Sequence, residues 1–318
     1  MSASKHPRRS GNPALRAAAE RHQEEDGRSR ITWVDWVGGA RLRTLPLAIA
    51  PVAAGAGIAH MVQSFSLTLS LLALAVAALL QIGVNYANDY SDGVRGTDAH
   101  RVGPARLTGS GLVNPKIVLV TALTFFALAA AAGLAAVIIS GRWWFLAVGV
   151  VAILAAWFYT GGKRPYGYAG LGELAVFIFF GLVATVGTVW LQSDILPQEA
   201  WVSGAGVGLF AVAVLIANNT RDIATDRLAG KRTLSTRIGD RASRVLFVAC
   251  LLLPFVAPGL YLAVYPGMIL VLLVLLAVIP AAVIMLWARS AREMILALAI
   301  TSFAALAYGV LLGVAFAF

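Results

Sequence analysis

The chain reads as a series of long apolar runs separated by short polar stretches. A bilayer span requires about 20 apolar residues to cross about 30 Å of hydrocarbon. Runs of that size lie near residues 44–62, 67–88, 117–140, 143–160, 172–191, 200–218, 245–264, 267–287 and 294–316. The pattern predicts an all-α integral membrane fold of nine transmembrane helices. Pro46, Pro51, Pro254, Pro258 and Pro280 fall inside the runs, where neighbouring helices in a bundle tolerate them. Ahead of the first run, Trp33, Trp36 and Leu42 alternate with Asp35, Arg41 and Arg43, as in a helix lying on the membrane surface. Residues 1–30 lack apolar periodicity and predict a mobile, basic cytoplasmic tail, which leaves 31–318 as the membrane domain.

Charge fixes the expected orientation. The basic stretches are the tail, 91–116, 161–170, 220–244 with its seven Lys or Arg, and 288–293; the stretches near 63–66, 192–199 and 265–266 have none. By the positive-inside rule this predicts a multi-pass protein of the cell membrane, with a cytoplasmic N-terminus, an extracytoplasmic C-terminus and the polar loops facing the cytoplasm. Composition agrees: 59% of residues are hydrophobic and 13% charged, with a mean hydropathy of +0.81. The net charge of +10 is spread through inter-helix stretches, which excludes a nucleic-acid stripe. Cys250, the single cysteine, lies in an apolar run and reads as a packing residue. No cleavable leader is expected, because the first apolar run comes too late.

Two polar junctions carry the candidate chemistry. The second run ends in Asn85, Asn88, Asp89 and Asp92, followed by Arg95 and Asp98. If the helix persists through Asp92, the first four lie three, four or seven apart and share a face. Carboxylates at membrane depth need a cation or a wet cavity, and an oxygen-only set suits Mg²⁺ shared with phosphate oxygens. Downstream, Arg101, Arg106 and the Gly103-Pro104 and Gly109-Ser110-Gly111 steps can wrap donors around phosphate, although orientation alone also explains the two arginines. The sixth run ends in Asn218, Asn219, Arg221, Asp222 and Asp226, followed by Gly230-Lys231. The Gly-Lys step lacks the glycine spacing of a nucleotide-binding loop. Because the two junctions lie four helices apart, they predict a parallel repeat of four helices plus a ninth, with the two acidic ends facing one another across a diphosphate and two Mg²⁺ ions.

A third loop, from Tyr159 through Lys163, Arg164, Tyr166 and Tyr168 to Glu173, is Gly-rich and aromatic. It can serve as a lid over a planar or carboxylated acceptor, while an interfacial aromatic belt explains Tyr166 and Tyr168 at least as well.

These residues resemble the UbiA superfamily of membrane prenyltransferases, over nearly the whole chain after residue 30. Asn-Asp-Tyr-Ser-Asp-Gly-Val-Arg-Gly-Thr-Asp at 88–98, Gly-Pro-Ala-Arg-Leu at 103–107, Tyr-Thr-Gly-Gly at 159–162 with Gly-Leu-Gly-Glu at 170–173, and Asn-Asn-Thr-Arg-Asp at 218–222 with Gly-Lys-Arg-Thr-Leu at 230–234 are similar to the branch acting on 1,4-dihydroxy-2-naphthoate. The resemblance implies transfer of a polyprenyl chain from its diphosphate to dihydroxynaphthoate, with loss of CO₂ and diphosphate, giving demethylmenaquinone. It implies Asp89, Asp92, Asp222 and Asp226 as Mg²⁺ ligands, with Lys231 as a catalytic cation. Asn85, Asn88, Arg95, Asp98, Arg106, Tyr159, Lys163, Glu173, Asn218, Asn219 and Arg221 are the expected substrate contacts. Other aromatic acceptors, such as 4-hydroxybenzoate, homogentisate or a haem precursor, and a secondary transporter are the alternatives.

Overall fold

The structure, a computed structural model, describes residues 31–97, 106–111 and 113–318. The tail 1–30 and Asp98, Arg101, Gly103 and Pro104 therefore lie outside the described residues. Within them the secondary structure is helical throughout. Helix α1, Trp33–Ala40, opens on a reciprocal cap between Thr32 and Asp35 and stops where Arg41 turns left-handed at φ 53°. A short turn leads into α2, Pro46–Met61, which is bent by 44° from the segment before it.

Helix α3, Leu67–Arg95, has 29 residues and is about 44 Å long at 1.5 Å per residue. That exceeds the roughly 30 Å of a bilayer's hydrocarbon, and the helix continues without a break through Asn85–Asp92. Gly96, at φ 73°, closes it with an N–H to the Asp92 carbonyl. Helix α4 is Pro115–Ser140 and α5 is Phe145–Phe158. Helix α6, Gly172–Gln192, widens into a π-helical stretch over Phe177–Val183. Helix α7 is Gln198–Arg221 and α8 a short Ile223–Leu228. Helices α9 (Leu234–Tyr261), α10 (Met268–Trp287) and α11 (Ala291–Ala317) complete the bundle.

The protein is a multi-pass membrane protein. Among the described residues seven helices are long and apolar enough to cross a bilayer, eight if the bent segment through α1 and α2 is one span. The nine-span expectation is not reached on this measure. The 143–160 run yields only the 14 residues of α5, about 21 Å, because Arg142–Trp144 form a turn before it and Gly161-Gly162 follow soon after it. The outer surface is apolar, as lipid contact demands: Leu260 and Leu276 are each 75% exposed.

With lipid outside, helices gain little from hiding apolar surface and associate through close packing of small residues. Helices α2 and α11 show this best. A Cβ built on Gly57 would lie 2.0 Å from the Gly313 carbonyl oxygen, and one on Gly309 would lie 2.3 Å from that of Ala50. Only glycine permits such an approach. Two large packed cores result, one from α2, α6, α7, α9, α10 and α11, the other from α1, α3, α4, Leu107 and Val113, beside a small cluster of Leu69, Ala136 and Leu191. Cys250 is buried in the first as a packing residue.

Candidate active site

Between the two cores lies a cavity of about 400 Å³, lined by helices α2 to α7. Its walls are apolar along most of their length, including Val52, Ala73, Val76, Phe145 and Phe180. At one end they turn polar, with Arg41, Gln81, Asn85, Asn88, Tyr159 and Asn218. That end adjoins the last turns of α3.

Helix α3 persists through Asp92, so Asn85, Asn88, Asp89 and Asp92 do share a buried face. Each has a definite partner. Asn85 Nδ2 donates to the Ala40 carbonyl at 2.9 Å and ties α1 to α3. Asn88 Oδ1 accepts from the Thr160 hydroxyl at 2.7 Å. Both oxygens of Asp89 accept backbone N–H groups, from Thr108 at 2.8 Å and Leu107 at 2.9 Å. Asp92 is met by side chains instead: the Arg106 guanidinium, the Tyr168 hydroxyl, and Lys231 Nζ at 3.4 Å.

Lys231 is the hinge of the arrangement. Its ammonium lies 3.9 Å from Asp226 Oδ1 and 4.6 Å from the centre of the Tyr168 ring, a cation–π contact. Local structure holds it there. Gly230 is left-handed at φ 72°, and the Lys231 N–H returns to the Asp226 carbonyl at 2.8 Å. The next amide, Arg232, donates to the Tyr168 carbonyl at 2.9 Å, and Arg237 donates to the Ala169 carbonyl at 2.7 Å, strapping the third loop to the second junction. Arg95 reaches the same loop, donating to the Thr160 and Gly162 carbonyls with its guanidinium 5.5 Å from the Tyr168 ring centre.

The second junction is not a geometric copy of the first. Asp222 forms a two-pronged pair with its neighbour Arg221, both contacts at 2.6 Å. Asn218 lines the cavity, whereas Asn219 donates to the buried Glu173 at 2.9 Å. Tyr159 contributes to the cavity wall and stacks edge-on with Tyr166. Lys163 is exposed and is not drawn into the cluster, and Asp98 lies outside the described residues.

Burial governs the phenols. It pushes Tyr166 up to about 12, and raises Tyr168 still further with help from the Asp92 carboxylate. Both remain protonated donors at any physiological pH. Tyr168 is a hydrogen-bond donor to Asp92 at the centre of the cluster, a contact that the aromatic-belt reading alone does not explain. Arg41, Gln81 and Thr160 were also missed. Gln81 had a signal, since it continues the Asn85, Asn88, Asp92 face one turn earlier. Arg41 had none beyond its place in a surface helix.

Among the described residues no three acidic, His or Cys side chains gather into a metal cage. What exists is a pair of carboxylates, Asp92 and Asp226, around one ammonium, with further cations beside them. Such a donor set is incomplete for a metal alone and suits one whose remaining positions are filled by phosphate oxygens and water.

Residues 48–297 match the UbiA prenyltransferase family. The chain is 53% identical over 216 residues to the 1,4-dihydroxy-2-naphthoate octaprenyltransferase of Mycobacterium tuberculosis, covering 68% of this chain and 74% of the relative. It is 39% identical over 224 residues to the enzyme of the same name from Escherichia coli, covering 69% and 72%. Its fold is that of the UbiA homolog from Aeropyrum pernix, at a TM-score of 0.63 and 16% identity over 85% of this chain and 96% of that one. A UbiA homolog from Archaeoglobus fulgidus, solved bound to GPP and Mg²⁺, superposes at 0.62 with 15% identity over 86% and 98%. Matched over most of its length in sequence and in fold, the chain is a member of the UbiA prenyltransferase family.

Proposed function

We propose that the chain transfers a polyprenyl group from polyprenyl diphosphate to 1,4-dihydroxy-2-naphthoate. The allylic C–O bond breaks and diphosphate leaves. A C–C bond forms at the ring carbon that bore the carboxylate, CO₂ departs, and the product is the quinol form of demethylmenaquinone. The observation that carries this reading is the continuity of an apolar cavity with the Asp92–Lys231–Arg106 cluster at its polar end.

Diphosphate is the group that cluster fits. Arg106, Lys231 and Arg95 present cations, and the partners now on Asp92 are side-chain tips that can exchange a carboxylate oxygen for a phosphate oxygen by rotation. Asp92 and Asp226, with Asp222 as a further carboxylate, would hold Mg²⁺ together with the diphosphate. Two ions, one for each acidic junction, is the number we propose. Bound there, Mg²⁺ would neutralise charge gathering on the departing diphosphate. The archaeal homolog solved with GPP and Mg²⁺ supports this.

The residues lining the apolar walls exclude water, which would otherwise capture an allylic cation. Arg41, Asn85, Asn88 and Asn218 offer polar contacts where the acceptor ring must meet the allylic carbon. The relatives named for dihydroxynaphthoate support that acceptor over other aromatic rings. Membership of a prenyltransferase family leaves no ground for the transporter alternative. Since Arg95, Lys231, Arg232 and Arg237 gather around this one end of the bundle, we place it on the cytoplasmic face of the cell membrane.

An acceptor panel tests the proposal. Purified protein with one polyprenyl diphosphate and Mg²⁺ is expected to prenylate dihydroxynaphthoate; turnover with hydroxybenzoate alone would overturn the assignment.

A further inference from the structure

We infer that Asp89 is a positioning residue and not a metal ligand: its carboxylate clamps the 106–111 turn onto α3 and thereby sets Arg106 on Asp92. The inference rests on the diphosphate-site reading above, and it separates two aspartates that the sequence pattern treats alike.

The difference lies in who holds each carboxylate. A carboxylate can only accept hydrogen bonds, and each oxygen of Asp89 accepts one from a successive backbone amide, Leu107 at 2.9 Å and Thr108 at 2.8 Å. The residue is 2% exposed. Backbone amides cannot be handed to a phosphate without undoing the turn. Asp92, one helical turn on, is held by Arg106, Lys231 and Tyr168, all of them movable side-chain ends.

The turn is built to lie on the helix at this spot. Gly93, four residues after Asp89, leaves room that Thr108 fills, for a Cβ there would sit 2.4 Å from the Thr108 methyl carbon. Leu107 is 1% exposed and packs into the core with Tyr86, Ala122 and Phe126. Ser110 closes the turn from both sides, its N–H donating to the Arg106 carbonyl at 2.8 Å and its hydroxyl to the Leu107 carbonyl at 2.9 Å. Arg106 therefore leaves the chain immediately before the clamped amides. Its guanidinium lands on Asp92 and reaches the Asn88 carbonyl at 3.3 Å.

Substituting Asp89→Asn keeps the volume and one acceptor, but turns an amide NH₂ toward a backbone N–H and loosens the clamp. Losing a hydrogen bond to a charged group costs about 1.5–3 kcal/mol, which converts to roughly ten- to a hundred-fold in affinity. We expect D89N to weaken prenyl diphosphate binding by about that factor. Mn²⁺ binding, read by paramagnetic resonance with a non-hydrolysable prenyl diphosphate at saturation, should stay within about two-fold of the parent. D92N should lose Mn²⁺ by more than about ten-fold in the same assay. Equal loss of Mn²⁺ in D89N and D92N would overturn the inference.

A second measurement needs no variant and decides the matter should D89N fail to fold. In the unsubstituted protein, hydrogen exchange at the Leu107 and Thr108 amides is expected to stay slow when Mg²⁺ and the analogue bind. Loss of protection on binding would show the carboxylate turning to the metal, and would contradict the clamp. Failure of the parent protein to bind the analogue at all would strike the diphosphate-site reading instead, so the two failures are distinguishable.

Discussion

Lys231 Nζ lies 3.4 Å from Asp92 Oδ2 and also 3.9 Å from Asp226 Oδ1, so a single ammonium joins two acidic motifs more than a hundred residues apart. The two ends of α3 and α7 become one site through a lysine on the loop that follows α8.

Removing that ammonium takes from Asp92 and Asp226 the cation they share. Breaking a buried, hydrogen-bonded charge pair costs about 2–5 kcal/mol. Lys231→Met is expected to lower kcat/KM for prenyl diphosphate by at least about a hundred-fold. Lys231→Arg should restore little, because the Tyr168 ring already lies 4.6 Å from the nitrogen and a planar guanidinium needs more room. Steady-state kinetics at saturating Mg²⁺ checks this; activity of the Met variant within three-fold of the parent, a change of less than about 1 kcal/mol, would refute it.

Tyr168→Phe deletes the hydroxyl that donates to Asp92 and keeps the ring under Lys231. A hydrogen bond to a charged group contributes about 1.5–3 kcal/mol, so a loss of roughly ten-fold or more in kcat/KM is expected. Since burial, with the Asp92 carboxylate beside it, raises the phenol well above its ordinary value, it stays protonated through the physiological range. The parent and the Phe variant should therefore share the same alkaline limb in their pH–rate profiles. An alkaline limb that disappears in the Phe variant would show Tyr168 titrating, contrary to its environment.

Gly149 lines the cavity, and a Cβ added there meets nothing within 4 Å. Gly149→Phe is thus expected to fold, and to fill part of the apolar arm. Short prenyl diphosphates should still react, while long ones lose their room. A comparison of kcat/KM across chain lengths is expected to show a long-to-short ratio reduced at least about ten-fold, equivalent to about 1.4 kcal/mol. An unchanged ratio would mean the chain runs elsewhere.

Gly57→Ala tests the packing that holds α2 on α11. The added methyl would overlap the Gly313 backbone, with its oxygen at 2.0 Å, so backbone must move and not merely a side chain. Overpacking costs about 1–3 kcal/mol. Thermal unfolding in detergent should show a lower midpoint than the parent; an equal or higher midpoint would contradict the packing account.

Much of this site was legible along the chain. Helical spacing placed Asn85, Asn88, Asp89 and Asp92 on one face, and the helix does run through Asp92 to Arg95. What the sequence could not supply was which backbone or side chain each acid would meet. Asp89 and Asp92 are three residues apart and chemically identical, yet one is held by a turn 18 residues on and the other by Tyr168 and Lys231. Tyr168 looked like a belt residue because tyrosine at a membrane interface is common. Its central position depends on the Arg232 amide gripping its carbonyl, a contact between loops far apart in sequence. The two acidic junctions read as equivalents, but Asp222 turns to Arg221 because a guanidinium stands next to it in the chain. Hydropathy likewise counted 143–160 as a full span, without seeing that a turn and two glycines shorten its helix to 14 residues.

The most direct measurement is the mass of the product formed from dihydroxynaphthoate labelled with carbon-13 at its carboxyl group, in the presence of a polyprenyl diphosphate and Mg²⁺. The expected product carries the naphthalene ring and the prenyl chain without the label, which is recovered as CO₂ alongside one diphosphate per turnover. A prenylated product that retains the labelled carboxyl, or the release of diphosphate and free prenyl alcohol with the acceptor untouched, would contradict the assignment.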